Sequence, residues 1–153
     1  MGAAYFYHLT RAPLEVTLPM LLGKAMAAGW RVEVRGSDPA RLDWLDQRLW
    51  LGAAEGFLPH GQAGGPHDAL QPVLLCAVGQ AATNDAACLM TLDGAAVSPD
   101  EVKALERVCV LFDGNDPDAV QAARVQWKAL TDAGCSAQYW SEESGRWEKK
   151  AER

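Results

Sequence analysis

Apolar residues along this chain recur with two different periods, and the two alternate. Residues 4–9 (AYFYHL) form a short aromatic run that reads as a strand. Residues 30–35 (WRVEVR) alternate apolar and charged positions, the two-residue period of a half-buried strand. Residues 72–78 (PVLLCAV) and 108–113 (VCVLFD) are continuous apolar runs, as expected of strands covered on both faces. Residues 86–92 and 136–141 read as two further strands.

Helical spacing fills the intervals. Thr17 reads as the cap of a helix over residues 18–28, with Pro19 in its first turn and Gly29 ending it. Asp38 and Pro39 open a second helix to about Trp50, where Leu42, Leu45 and Leu49 recur at helical spacing beside Trp44 and Trp50. Ser98, Pro99, Asp100 and Glu101 make a capping-box start for a third, reaching about Arg107. The fourth runs between Asp116 and Gly134, with Asp116 as N-cap, Pro117 in the first turn and Gly134 past the end.

Strand and helix in alternation predict an α/β fold, a three-layer α/β/α sandwich around a mostly parallel sheet. A glycine-rich connection over residues 51–71 carries Phe57, Leu58, Pro59 and His60, and loops of that length tend to be functional or mobile. Residues 1–142 read as a single domain and residues 143–153 as a charged, flexible C-terminal tail.

Composition narrows the function. The 153 residues are 49% hydrophobic and 22% charged, ordinary for a globular protein, and long enough to bury a core. A net charge of −6 argues against strong direct binding of nucleic acid, so an anionic partner has to be met by a local patch. Cys76, Cys88, Cys109 and Cys135 form no CxxC pair, and the first three fall in strand-like runs, as buried thiols do in a reducing compartment. The start MGAAYFYHLT lacks the basic and apolar regions of a signal peptide, and no stretch approaches the roughly 18 apolar residues of a membrane span. A cytoplasmic, soluble protein without a membrane partner is expected.

At about 100° per residue, Ala119, Ala123, Gln126, Leu130 and Ala133 form the predicted buried stripe of the fourth helix. Trp127 and Val120 lie at its edge, with Arg124 and Lys128 just outside. A large aromatic beside two cations suits an occupant both acidic and apolar, although a packed Trp with two solvated charges has the same spacing.

Enzyme motifs are missing. No strand leads into GxGxxG, and the glycine cluster at residues 61–65 lacks the Lys-Ser/Thr of a P-loop. Of the three histidines, His60 and His67 flank that cluster near Asp68, in no standard metal-ligand pattern, and His60 reads as a capping or loop-packing residue. Asp93 and Asp113, at strand ends, serve equally well as turn residues. No nucleophile, base and orienter assemble, and neither metal nor cofactor is expected.

Three segments together, YFYHL at the start, RLW with FLPHG in the middle (48–50 and 57–61) and RVQWKALTDAG late, resemble the chi subunit of bacterial DNA polymerase III in order, spacing and chain length. The resemblance implies a Rossmann-like fold without a nucleotide site, and a non-catalytic accessory subunit of the clamp-loader assembly. It implies binding of the acidic C-terminal tail of single-stranded-DNA-binding protein (SSB), which ends in Ile-Pro-Phe, and, in many bacteria, pairing with the psi subunit.

Carried over by position, Arg124, Trp127 and Lys128 belong to the tail site. Val120 stands where well-known members have lysine, and Trp50 is a further candidate for that site. Phe57, with Pro59, points to the partner-subunit face. The alternative from another class is a small α/β enzyme or nucleotide-binding protein whose motif is degenerate.

Overall fold

Side chains on β1 (Ala3–Leu9) alternate between two buried layers, Ala4 and Phe6 toward one and Leu9 toward the other, so this strand has to lie inside a sheet covered on both faces. The computed structural model describes residues 2–11, 13–50, 60–80, 82–144 and 146–153. The strands that follow are β2 (Val32–Gly36), β3 (Gly61–Gln62), β4 (Val73–Ala77), β5 (Cys88–Leu92), β6 (Arg107–Asp113), β7 (Ser136–Ser141) and β8 (Glu148–Glu152). Among the described residues they form one sheet in the order β3-β4-β2-β5-β6-β1-β7-β8, parallel throughout except for β8.

Helices α1 (Leu14–Ala27) and α2 (Pro39–Trp50) cover one face, where Leu18, Leu22 and Leu45 meet Val34, Met90 and Leu111. Helices α3 (Pro99–Ala104) and α4 (Pro117–Asp132) cover the other, where Val102, Ala123 and Leu130 meet Phe6, Val108 and Val110. The α/β/α sandwich expected from the alternation is the observed fold. Neighbouring residues of β6 divide between the faces, Val108 and Val110 to one, Cys109 and Leu111 to the other. That division is why the run reads as continuously apolar.

Several element boundaries differ from the sequence reading, each for a physical reason. Helix α1 starts at Leu14 with Pro13 as N-cap, one turn before the expected start, and Thr17 is a buried helical residue rather than the cap. Pro19 therefore sits inside the helix, where the lost bond and ring clash cost about 3 kcal/mol. Burial of Leu14, Leu18, Leu21 and Leu22, each contributing roughly 1.5–3 kcal/mol, outweighs that cost. Gly29, at φ +84°, closes the helix and lets Trp30 donate its N–H to the Ala25 carbonyl at 3.0 Å. Helix α3 ends at Ala104 rather than near Arg107, because Arg107 already pairs in the sheet.

The C-terminal segment is not a loose tail. Residues 148–152 form β8, antiparallel to β7, and Trp147 stands edge-on to Tyr7 with ring centroids 5.5 Å apart. The sequence of β8, EKKAE, has no apolar alternation, as suits an edge strand kept from pairing further by its charges. The long connection also carries order. Gly61 and Gln62 add β3 to the far edge, and the Asp68 carboxylate accepts the N–H groups of Gly64 and Gly65 at 2.8 and 2.9 Å.

His60 packs as a buried loop residue, its Nε2 3.1 Å from the Asp46 carbonyl oxygen and 3.2 Å from Asp46 Oδ1. All four cysteines are buried and free, and burial pushes the Cys76 thiol up to about 12. Among the described residues no helix is long and apolar enough to cross a membrane.

Candidate functional site

Asp116 caps α4 by accepting the Asp118 N–H at 3.0 Å, and Gly134, at φ +88°, lets the chain turn back into β7. Between these ends the helix lies on the sheet through Ala123 and Leu130, both fully buried. Ala119 and Gln126 are only half-buried, and Ala133, placed in the stripe by the sequence reading, is the exposed C-cap residue.

Trp127 is half-buried over a patch of aromatic side chains. Phe6 and Tyr139 face each other across β1 and β7 in the same register and point to the same side. The Trp127 ring meets Phe6 edge-on at 5.3 Å and Tyr139 at 6.1 Å. Phe112 extends the patch, 5.9 Å from Tyr139 and stacked at 5.2 Å on His8. The Tyr139 hydroxyl lies 2.7 Å from His8 Nδ1, so ring positions here are fixed by a hydrogen bond as well as by packing. Val120, one helical turn before Arg124, is half-buried against the same cluster.

Two cations border this aromatic surface. Arg124 is exposed, and its charge acts on Tyr139, opposing the burial that raises the phenol's pKa. Lys128 is exposed and forms an ion pair with Asp132 one turn on, at 3.0 Å. Arg124, Trp127, Lys128 and Val120 are thus brought to one side of one helix. Tyr139, Phe112 and His8 join them, and the sequence reading missed all three. Alternation in β1 places Phe6 and His8 on one face, but which strands bring Phe112 and Tyr139 beside them is set by pairing between distant segments.

Trp50 does not belong with this group. It ends α2, in the helical layer on the opposite face of the sheet, where its half-exposed indole lies 4.2 Å from the His60 ring. The sequence places Trp50 at a helix end but says nothing of which face that helix covers. Phe57 and Pro59 lie outside the described residues. No group of three His, Cys, Asp or Glu side chains among the described residues is placed to hold a metal ion.

The profile of the family described as DNA polymerase III chi subunit, HolC, matches residues 1–138. The chain belongs to the chi subunit family. Curated protein sequences give no match. Family membership spans all of the sheet except the end of β7 and the edge strand β8, so the α4 surface lies inside the matched region. As a chi protein the chain is an accessory subunit of DNA polymerase III, a component of the replication machinery. Its sheet is the doubly wound kind that holds nucleotides elsewhere, yet the exposed Arg124 and Lys128 flank the half-buried Trp127 over Phe6, rather than lying at the C-terminal strand ends.

Proposed function

We propose that this chi protein binds the acidic C-terminal tail of SSB on α4 and links SSB-coated DNA to the clamp loader, without an active site of its own. What carries the reading is Trp127, a half-buried indole over Phe6 and Tyr139 with Arg124 one turn before it and Lys128 beside it. The terminal Phe of the tail needs an apolar edge held rigidly, and the Trp127–Tyr139 junction supplies one. Its free carboxylate and the preceding aspartates need donors, and Arg124, exposed and without a side-chain partner among the described residues, offers a planar fork. Val120 extends the apolar side of the groove where other family members carry a further lysine.

A psi subunit, in lineages that have one, is assigned by the same resemblance to the stretch holding Phe57 and Pro59. The net charge of −6 opposes approach of an acidic tail, so the local pair of cations has to offset the global field.

Titration of the full chain with a peptide copying the SSB C-terminus tests the proposal. A dissociation constant in the micromolar range, about −8 kcal/mol, is the strength expected of a short motif held by one groove. Arg124→Ala is expected to weaken binding by roughly tenfold, the scale of a charge-assisted hydrogen bond. Affinity should also fall with salt. A peptide that does not bind at all removes the function; a peptide that binds Arg124→Ala and Lys128→Ala unchanged removes the site.

A further inference from the structure

The C-terminal ends of β1, β5 and β6, with the first half of α4, open onto a cavity of about 730 Å³. The chain leaves β1 toward the α1 face and leaves β6 toward the α4 face, so the cavity sits at the switch point where sheets of this kind hold ligands. Its volume falls in the range of small-ligand sites, roughly 300–1,000 Å³. Leu92, Leu111, Phe112 and Ala123 give it an apolar floor.

Among the described residues, the N–H groups after β1 and both guanidiniums of the lining are already engaged, which leaves an anion such as a nucleotide phosphate poorly served. The backbone N–H groups of Thr10 and Arg11, at the end of β1, already donate to Glu142 Oε1 at 3.1 and 2.9 Å. Glu142 is buried, so the chain's own carboxylate occupies the place where such a loop would cradle a phosphate. The guanidinium of Arg11 donates twice to the Glu143 carbonyl, at 3.1 and 2.9 Å. That of Arg41 lies 3.6 Å from the Asp93 carboxylate and stacks over Trp44 at 4.4 Å.

Charge points the other way. Glu15, Asp93, Asp113, Asp116 and Asp118 line the cavity, five carboxylates against two guanidiniums, an excess of three negative charges. The N-termini of α1 and α4 reach the rim and offset about half a charge each, which leaves the field negative. Two polar atoms on residues of the lining, Gln126 Oε1 and Thr10 Oγ1, are buried behind the cavity surface without a hydrogen bond to any described residue. Both can accept.

We propose that this cavity binds an organic cation with an apolar stem, of the chemistry an arginine side chain presents: the stem on the Leu111–Phe112 floor and the N–H groups toward the carboxylate rim. The cation comes either from a free small molecule or from an arginine of a bound peptide. The cavity shares Phe112 with the aromatic patch under Trp127, but neither reading depends on the other.

Amide chemical shifts of the full chain, titrated with butylguanidinium, with a short Gly-Arg-Gly peptide and with AMP, test the inference. Saturable shifts of the Gln126 side-chain amide and of the Gly94 and Asn115 backbone signals are expected with butylguanidinium. If the peptide saturates the same signals at lower concentration, the cation is one carried on a chain; if it does not, it is a free small molecule. Asp118→Asn, an exposed rim position with no side-chain partner among the described residues, should weaken binding by roughly threefold, the scale of one partly exposed charge pair. Arg124→Ala should leave it unchanged. Shifts with AMP in place of butylguanidinium, or none with either cation, overturn the inference.

Discussion

Arg35 reaches from β2 across to α3 and donates to Glu101 Oε2 at 2.6 Å, while its Nε donates to Glu33 Oε2 at 2.9 Å. One cation between two carboxylates ties the short helix α3 to the sheet. The Arg35 guanidinium holds the Glu101 carboxyl below its usual range, with further lowering from the Ser98 N–H. A carboxylate with a depressed folded pKa contributes stability above its unfolded pKa of about 4.3, and that contribution is lost as pH falls through the folded value.

Glu101→Gln keeps the capping-box reach to Ser98 and removes only the charge. With its side chain about one third exposed, the expected loss is discounted to about 1 kcal/mol at neutral pH. Urea unfolding near pH 7 and near pH 3 checks this. A penalty of the same size at both pH values means that the charge is not what Arg35 holds.

Asp93 behaves in the opposite sense. Burial raises its pKa, Arg41 opposes the rise, and Asp38 adds to it. With the folded pKa above the unfolded one, whatever this group contributes is fullest below the unfolded value and lost as pH rises through the folded one. Asp93 also sits at φ +53°, a conformation that Asn adopts about as readily. Asp93→Asn is therefore expected to stabilise by a few tenths of a kcal/mol at neutral pH, after allowance for its exposure, and to do nothing in acid. A lower thermal midpoint at neutral pH would show the Arg41 pair to be the stronger effect.

How much of this was legible in the sequence depended on whether a residue acts along the chain or across it. The caps at Asp116 and Ser98 are local, and the structure has both. Leu42, Leu45 and Leu49 carry their burial in their own spacing. By contrast β8 is held by backbone pairing to β7 and by Trp147 on Tyr7, contacts between segments that no local pattern announces. The Arg124–Trp127–Lys128 side of α4 was readable from helical geometry, but its floor was not. Tyr139, Phe112 and His8 arrive from three different strands. Trp50 failed for the same reason: position on a helix says nothing about which face of the sheet that helix covers.

Gly114 is where that floor touches the strand ends. It donates its N–H to the Leu9 carbonyl at 2.7 Å, and a Cβ built there would overlap the His8 imidazole. His8 cannot simply swing aside, because Tyr139 holds one face of the ring's edge by hydrogen bond and Phe112 stacks against it. Gly114→Ala is expected to destabilise by about 1–3 kcal/mol, the usual cost of forced overpacking. Thermal unfolding of Gly114→Ala beside Gly114→Ala/His8→Ala reads it out. Removing the imidazole should recover part of the loss, and a double variant less stable than the sum of the two single ones contradicts the clash.

Lys128 and Asp132 give the proposed tail site a property that can be tuned. The pair spans one helical turn at 3.0 Å with both side chains exposed, so it contributes only about 0.3–0.5 kcal/mol to the helix. An incoming carboxylate has to compete with Asp132 for the Lys128 ammonium and also approaches a like charge. Asp132→Asn removes both obstacles and leaves Lys128 in place. Affinity for the SSB tail peptide should then rise by roughly twofold at low salt, the scale of one exposed pair, and the gain should fade as salt screens it. Lys128→Ala should abolish the effect of Asp132→Asn, because no ammonium remains to be released. Fluorescence titration at two salt concentrations, with the four combinations of the two sites, separates this coupling from any general change in net charge. A gain that persists in Lys128→Ala assigns it to the overall field, one that persists at high salt assigns it to a non-electrostatic cause, and either takes Lys128 out of the proposed tail site.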